Sequence, residues 1–260
     1  MANAFEEIAL QAEKHNKVQT IMHYVNKESL IMEHIKQTSG KAMGIDGVNK
    51  ETYGEQLEEN IDNLLARMKN FSYKPQAVRR TYIPKAGSDK LRPLGIPSYE
   101  DKLVQGVMRK ILDQIYENKF YDFSYGFREG KSCHDAIREV NQIIMTKRIN
   151  FIVDADIKGF FDNVDHEWLI KFLEHDIQYK NFLRYTKRFL KAGIIEDMKF
   201  YESDKGTPQG GLISPVCANV YLHYVLDMWF DIVVKKHCKG DAYIVRYADD
   251  CAPRRRIQTA

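Results

Sequence analysis

The sequence predicts a mixed α/β fold, with helices and short strands alternating along one chain. Two patterns carry that reading. Apolar residues recur at helical spacing, as in Leu103, Val107, Ile111, Leu112 and Ile115. Between such stretches lie β-like runs, Phe151-Ile152-Val153 and Tyr243-Ile244-Val245-Arg246, and each leads directly into aspartates. Size is the third observation: 260 residues, 44% hydrophobic and 29% charged, can bury the core of one large or two small domains.

Composition narrows the class further. The net charge of +3 is too small to mark a nucleic-acid binder by itself. Its distribution is more telling: Lys74, Arg79, Arg80, Lys85, Lys90 and Arg92 stand against one acid, Asp89. Such a strip either lines phosphates or is a solvated loop. Cys133, Cys217, Cys238 and Cys251 are scattered without a Cys-x-x-Cys pair, which argues against a zinc site or disulfide framework and fits a reducing cytoplasm of the bacterial type. No apolar run is long enough to span a bilayer, so no membrane partner is expected.

Taken in order, the first forty residues read as helical, with Val18, Ile21, Met22 and Val25 on one stripe, a break at Asn26 to Ser29, and a second helix through Leu30 to Ile35. Ser39 to Val48 holds three glycines in eight positions and reads as a loop. Tyr53, Leu57, Ile61, Leu64, Leu65 and Met68 form a packing face. Val78 to Ile83 reads as a strand whose hairpin loop runs from Pro84 to Leu91. Ser98 starts the helix that carries the Leu103 to Ile115 stripe, and Asp165 caps another whose first turn, His166-Glu167, reads as surface. Gly206-Thr207-Pro208-Gln209-Gly210-Gly211 is a shaped loop, followed by Ser214-Pro215 as N-cap and first residue of a long helix burying Val220, Tyr221, Tyr224, Val225 and Met228.

The chemistry concentrates at the acidic strand ends. Asp249 and Asp250 are adjacent on a turn, where like charges repel unless a cation sits between them. A hard oxygen-seeking ion such as Mg²⁺ fits that need, and the alternative is a solvated hairpin turn. Bringing Asp156 beside them in one sheet would give a carboxylate cluster able to hold two metal ions, as two-metal nucleotidyl transfer requires.

The Asp156 block, Gly206-Thr207-Pro208-Gln209-Gly210-Gly211 and Tyr247-Ala248-Asp249-Asp250 stand in the order found in reverse transcriptases, and the chain resembles those encoded by group II introns from about Ser39 to Asp250. The resemblance implies a right-hand polymerase fragment of α/β (α+β) class, fingers and partial palm, with an antiparallel palm sheet on helices and no thumb. It implies catalytic Asp156, Asp249 and Asp250 holding two Mg²⁺ ions (Mn²⁺ as a substitute), with the Ile157 carbonyl as a further metal oxygen. Asp154 and Asp162 are set aside, because the family's ligand directly precedes Ile157-Lys158-Gly159. Lys85 and Arg92 would bind the incoming deoxynucleoside triphosphate, where a compact ammonium and a bidentate fork suit phosphate. Phe161 would pack beneath the sugar and exclude a 2′-hydroxyl; Gln209 and Gly210 would meet the nucleotide. Arg79 and Arg80 would contact nucleic acid. Arg128 would do so too or brace the carboxylates, and Phe123, Tyr125 and Phe127 either pack in the core or support the template.

Partners implied are an RNA template, a DNA primer and group II intron RNA. The expected segments are an N-terminal helical extension (1–48), fingers (49–150), partial palm (151–250) and an atypical basic tail (251–260). Pro253 and Arg254-Arg255-Arg256 are poor strand material, so no return strand is expected after Asp250. On that view the chain is truncated, copies RNA weakly and self-associates through its open palm. The alternatives are a maturase-like splicing cofactor that only grips RNA, or a non-catalytic remnant.

Overall fold

A computed structural model describes residues 2–14, 17–84, 89, 91–207 and 210–255. Helices α1 (Ala2–Lys14), α2 (Lys27–Lys36), α3 (Lys50–Gly54) and α4 (Leu57–Lys69) precede strands β1 (Val78–Pro84) and β2 (Leu91–Ile96). Helices α5 (Tyr99–Tyr116) and α6 (Cys133–Thr146) follow, then β3 (Phe151–Ile152), β4 (Ala155–Asp156), α7 (Phe160–Asn163), α8 (His166–Asp176) and α9 (Lys180–Leu190). Strands β5 (Ile194–Glu196) and β6 (Lys199–Tyr201) form a hairpin before α10 (Ser214–Leu222). The helix of α10 runs on through π turns at His223–Asp227 and Phe230–Val234 into α11 (Lys235–His237), and the chain ends in β7 (Ala242–Tyr247) and β8 (Asp250–Arg255). Among the described residues no helix is long and apolar enough to cross a membrane.

The centre of the molecule is α5. The Ser98 side chain accepts from the Asp101 amide and starts it. Leu103, Val104, Val107, Met108, Ile111, Leu112, Ile115 and Tyr116 are all fully buried, so apolar contact covers more than one face. Helices α1, α2 and α10 pack against it. The stretch 18–25 is not the helix its spacing suggests. Val18 makes a parallel bridge to Ile177, and Met22–Tyr24 is one 3₁₀ turn. Val18 and Ile21 are buried all the same, because apolar spacing records burial whatever the backbone does.

Two sheets flank this core. One runs β2-β1-β5-β6, with β1 and β5 parallel and the other pairs antiparallel. The second is antiparallel throughout: β8 is central, with β7 along one side and β3 and β4 in tandem along the other. Its β7 residues alternate. Ala242, Ile244 and Arg246 are buried, the first two in a cluster with Phe230 of the long helix, while Val245 packs with Ala136 and Ile143 of α6. A segment boundary at 150 is therefore crossed twice. Hairpin β5–β6 completes the sheet of β1 and β2, and α6 covers the sheet of β7 and β8.

The return strand exists. Where an unpaired tail was expected from 251 onward, residues 250–255 pair with β7 over six positions and with β3 and β4 over four. Pro253 is tolerated because it faces the gap between β3 and β4. Ile152 pairs with Arg254 and Ala155 with Cys251, so the break at Val153-Asp154 falls where proline has no amide to offer.

Candidate active site

The Tyr247–Asp250 hairpin closes through a two-residue turn, Ala248-Asp249, with Tyr247 paired to Asp250. Ala248 adopts φ of 56°, a left-handed conformation that side-chain-bearing residues avoid and that tight hairpin turns require. Across the sheet Asp156 is the register partner of Asp250. Both carboxylates are exposed, Asp249 is half-buried, and none of the three has an ion-pair partner among the described residues. Burial first, then Asp249, Asp156 and Asp154, push the Asp250 carboxyl above its ordinary range. Like charges directly opposite destabilise a strand pair. This donor set therefore fits a hard divalent cation that would relieve the repulsion, although no three acidic, histidine or cysteine side chains among the described residues converge on one point. The Ile157 carbonyl accepts from the Phe160 amide at 3.2 Å, which leaves one lone pair.

Beneath the turn lies a network that sequence reasoning missed. Arg246 is fully buried and all five of its N–H donors are engaged. Its Nε and Nη2 donate to the two oxygens of Asp227, each at 2.7 Å, and Nη2 also reaches Ser124 Oγ at 2.6 Å. Its Nη1 donates to Asn219 Oδ1 at 3.1 Å and to the carbonyl of Ala248 at 3.0 Å. The π turn at His223–Asp227 supplies the partner. Its wider winding turns Asp227 to full burial and leaves Val225, expected in the core, 49% exposed. Asn219 Nδ2 meanwhile donates to Gly126 O at 2.7 Å. A side chain at Gly126 would strike the Ala248 backbone, so only glycine lets this loop approach the turn. The legible signal was an arginine ending an apolar strand, which needs a buried counter-charge somewhere.

The remaining candidates separate into three groups. Phe161 is half-buried, edge-on to Phe127 at 6.1 Å and Phe160 at 5.5 Å, and its carbonyl accepts from the Thr207 amide at 2.7 Å. The 205–207 segment is tied to this corner by the buried His166, whose Nε2 meets Gly206 O at 2.5 Å; His166 is thus not surface. Gly210, at φ of 110°, lies against the Gly95 carbonyl, and Gly95 pairs with Arg80. The structure so brings Phe161, Gly210 and the half-buried Arg80 around one loop, with Arg92 exposed along β2 opposite Ile83. Two arginines are used for bracing. Arg79 donates twice to Met43 O, at 3.0 and 2.7 Å, pinning the 38–49 loop. Arg128 is 8% exposed and spends its guanidinium on Glu117 and on the carbonyls of Tyr121 and Ser124. Lys85 and Gln209 lie outside the described residues. Phe123 and Tyr125 are half-buried beside the Phe230 and Val245 clusters of the β7–β8 sheet, whereas Phe127 is 45% exposed.

An antiparallel sheet presenting aspartates from two strand ends, backed by helices and joined to a separate hairpin sheet, defines the palm and fingers of a nucleic-acid polymerase. The chain belongs to the reverse transcriptase (RNA-dependent DNA polymerase) family, which matches residues 83–252. It is 42% identical over 185 residues to the group II intron-encoded protein LtrA of Lactococcus lactis subsp. cremoris, covering 71% of this chain and 31% of that protein. It is 34% identical over 214 residues to protein YkfC of Escherichia coli K12, covering 80% and 56% respectively. The chain thus spans about a third of the first relative and about half of the second. Its fold is similar to a chain of a partial Cas6-RT-Cas1–Cas2 complex, with a TM-score of 0.51 at 19% identity, covering 91% of this chain and 38% of that one.

Proposed function

We propose that this chain carries the nucleotidyl-transfer site of an RNA-directed DNA polymerase of the group II intron type. The observation that supports it best is the cross-strand pair of Asp156 and Asp250, with Asp249 adjoining, a concentration of negative charge with no ion-paired cation among the described residues. Asp156, Asp249 and Asp250 would hold divalent metal, Mg²⁺ or Mn²⁺, with the Ile157 carbonyl as a further oxygen. When bound, such ions stabilise charge on the attacking and leaving oxygens of the transfer. The chain's own residues do the rest. Arg92 and Lys85 would neutralise the triphosphate, and Arg80, on the same hairpin sheet as Arg92, would contact nucleic acid. Phe161 stands under the sugar, and Gly210 lets the loop backbone approach the nascent base pair. Template RNA, primer DNA and deoxynucleoside triphosphates are the substrates of this reading, and intron RNA is the partner that its similarity to LtrA suggests.

The deciding experiment is single-nucleotide extension of a DNA primer on an RNA template by this chain, with and without Mg²⁺. Metal-dependent incorporation that vanishes in Asp250→Asn is the expected result. Its absence, together with unchanged RNA binding in Asp250→Asn, would turn the reading toward an RNA-gripping splicing cofactor. Phe161→Ala should raise use of ribonucleotides relative to deoxyribonucleotides by roughly tenfold, because the ring fills the space of a 2′-hydroxyl. Unchanged selectivity in a well-folded variant would return Phe161 to the core.

A further inference from the structure

We propose that Arg246 is a positioning residue: the Asp227–Arg246–Ala248 clamp preforms the turn that presents Asp249 and Asp250 to metal. The inference rests on the reading of those aspartates as metal ligands, but its geometry is independent of that reading. Ala248 sits at φ of 56° with a methyl group to accommodate. An isolated residue would leave that conformation, so the surroundings must hold it there. Two groups approach its backbone: the Arg246 Nη1 donor on the carbonyl, and Gly126, across a space from the amide too small for a Cβ. Both trace back to the same four side chains. Asp227 fixes the guanidinium plane from the long helix, Ser124 and Asn219 fill its remaining donors, and Asn219 also ties down Gly126. The Ser124 loop is held to β7 by backbone as well, since Arg246 N donates to Phe123 O at 2.8 Å and Tyr125 N to Arg246 O at 2.9 Å. The fork thus couples the long helix, the 121–127 loop and the turn, and no group other than a planar five-donor fork could serve all of its partners at once.

A buried ion pair could also be there for stability alone, and that role predicts something different. Replacing both charges by apolar side chains of similar volume, Arg246→Met with Asp227→Leu, is often neutral or favourable for folding. If the pair only stabilises, the double variant binds metal like the wild type. If it positions, the double variant stays folded and yet loses metal affinity, since outlying partners of ligands commonly govern 10–100-fold in affinity. Arg246→Lys is the milder companion: it keeps the charge beside Asp227 but not the second arm that reaches Ala248.

The test is Mn²⁺ titration of the whole chain, followed by electron paramagnetic resonance of the free ion. Amide hydrogen exchange across 242–255 is read in the same samples. The expected result is a Kd for Mn²⁺ raised roughly tenfold or more in the double variant and less in Arg246→Lys. Exchange in the hairpin should quicken while peptides of α5 keep their protection. Wild-type affinity and wild-type hairpin exchange in the folded double variant would overturn the clamp. Should the wild type itself bind no Mn²⁺, the metal reading fails, and the exchange of the hairpin alone decides the clamp: faster exchange upholds it, unchanged exchange overturns it. If the double variant unfolds, Arg246→Lys decides by the same two readouts.

Discussion

The two acidic strand ends of the site are built in opposite ways. The Asp249–Asp250 end rides on a six-residue strand whose alternate residues are buried on both sides of the sheet, and beneath its turn every donor of Arg246 is used. The Asp156 end rides on two strands of two residues each, and Phe151, Ile152 and Val153 leading into it are each at least half exposed. One end is anchored deep in the core, while the more exposed end is held by its pairing to β8 and by Ala155, partly buried against the Phe230 cluster. Strand β8 is therefore the element that sets the two ends in register.

The largest effect that could break this comparison is removal of the carboxylates themselves. Asp156→Asn, Asp249→Asn and Asp250→Asn should each reduce extension by on the order of 10³-fold or more, with folding spared, since each removes charge that would stabilise the transition state through metal. Primer-extension rates on melted-curve-matched variants check it. Near-normal extension by Asp156→Asn alone would mean that the exposed strand end stands beside the site without taking part.

Next in size comes the strand between them. Cys251 pairs with Ala155 on one side and Arg246 on the other, so Cys251→Pro removes a ladder amide in the centre of the sheet and should destabilise by about 1–3 kcal/mol. Where the variant still folds, displacement of Asp156 by about 1 Å would lower extension roughly 10²-fold. Pro253→Ala is its counterpart and should change stability by no more than about 0.5 kcal/mol, because its position faces the gap between β3 and β4. Urea unfolding of the two variants side by side measures the contrast. Equal losses would show that β8 is not threaded through the sheet in this register.

The same strand marks where sequence reasoning succeeded and where it failed. Cap chemistry is local, so Ser98 and Asp165 announced the starts of α5 and α8 without knowledge of the rest. The pairing of Asp156 with Asp250 needed only two acid-ended strands in one sheet. Pro253 misled because proline is excluded from a strand only where a partner waits for its amide, and that depends on a break 100 residues away in the chain. Arg246 hid for a related reason. Its counter-charge, Asp227, reaches it only through a π turn, and helical periodicity placed Val225 inside instead. His166 was read as a surface residue because its partner, the Gly206 carbonyl, lies 40 residues on.

The smallest effect sharpens the contrast between anchors with and without a cation. Asp227 is fully buried against Arg246, whereas Asp101 is 2% exposed and has no ion-pair partner among the described residues. It accepts instead from the Tyr73 hydroxyl and from the Gln76 amide at 2.9 Å. Burial outweighs these hydrogen bonds and pushes the Asp101 carboxyl up to about 6. An acid held above its unfolded value binds its proton more tightly when folded. Its contribution to stability is therefore complete below about pH 4 and is lost as pH rises toward 6. For a group this buried the loss should be on the order of 2 kcal/mol. Asp101→Asn, which carries no such titration, should gain on the wild type by about that amount between pH 4 and pH 7, measured as the difference of their urea unfolding free energies. A constant difference across that range would mean that Tyr73 and Gln76 compensate the buried charge as fully as Arg246 compensates Asp227, and that a neutral hydrogen-bond set anchors a carboxylate here as well as a guanidinium does.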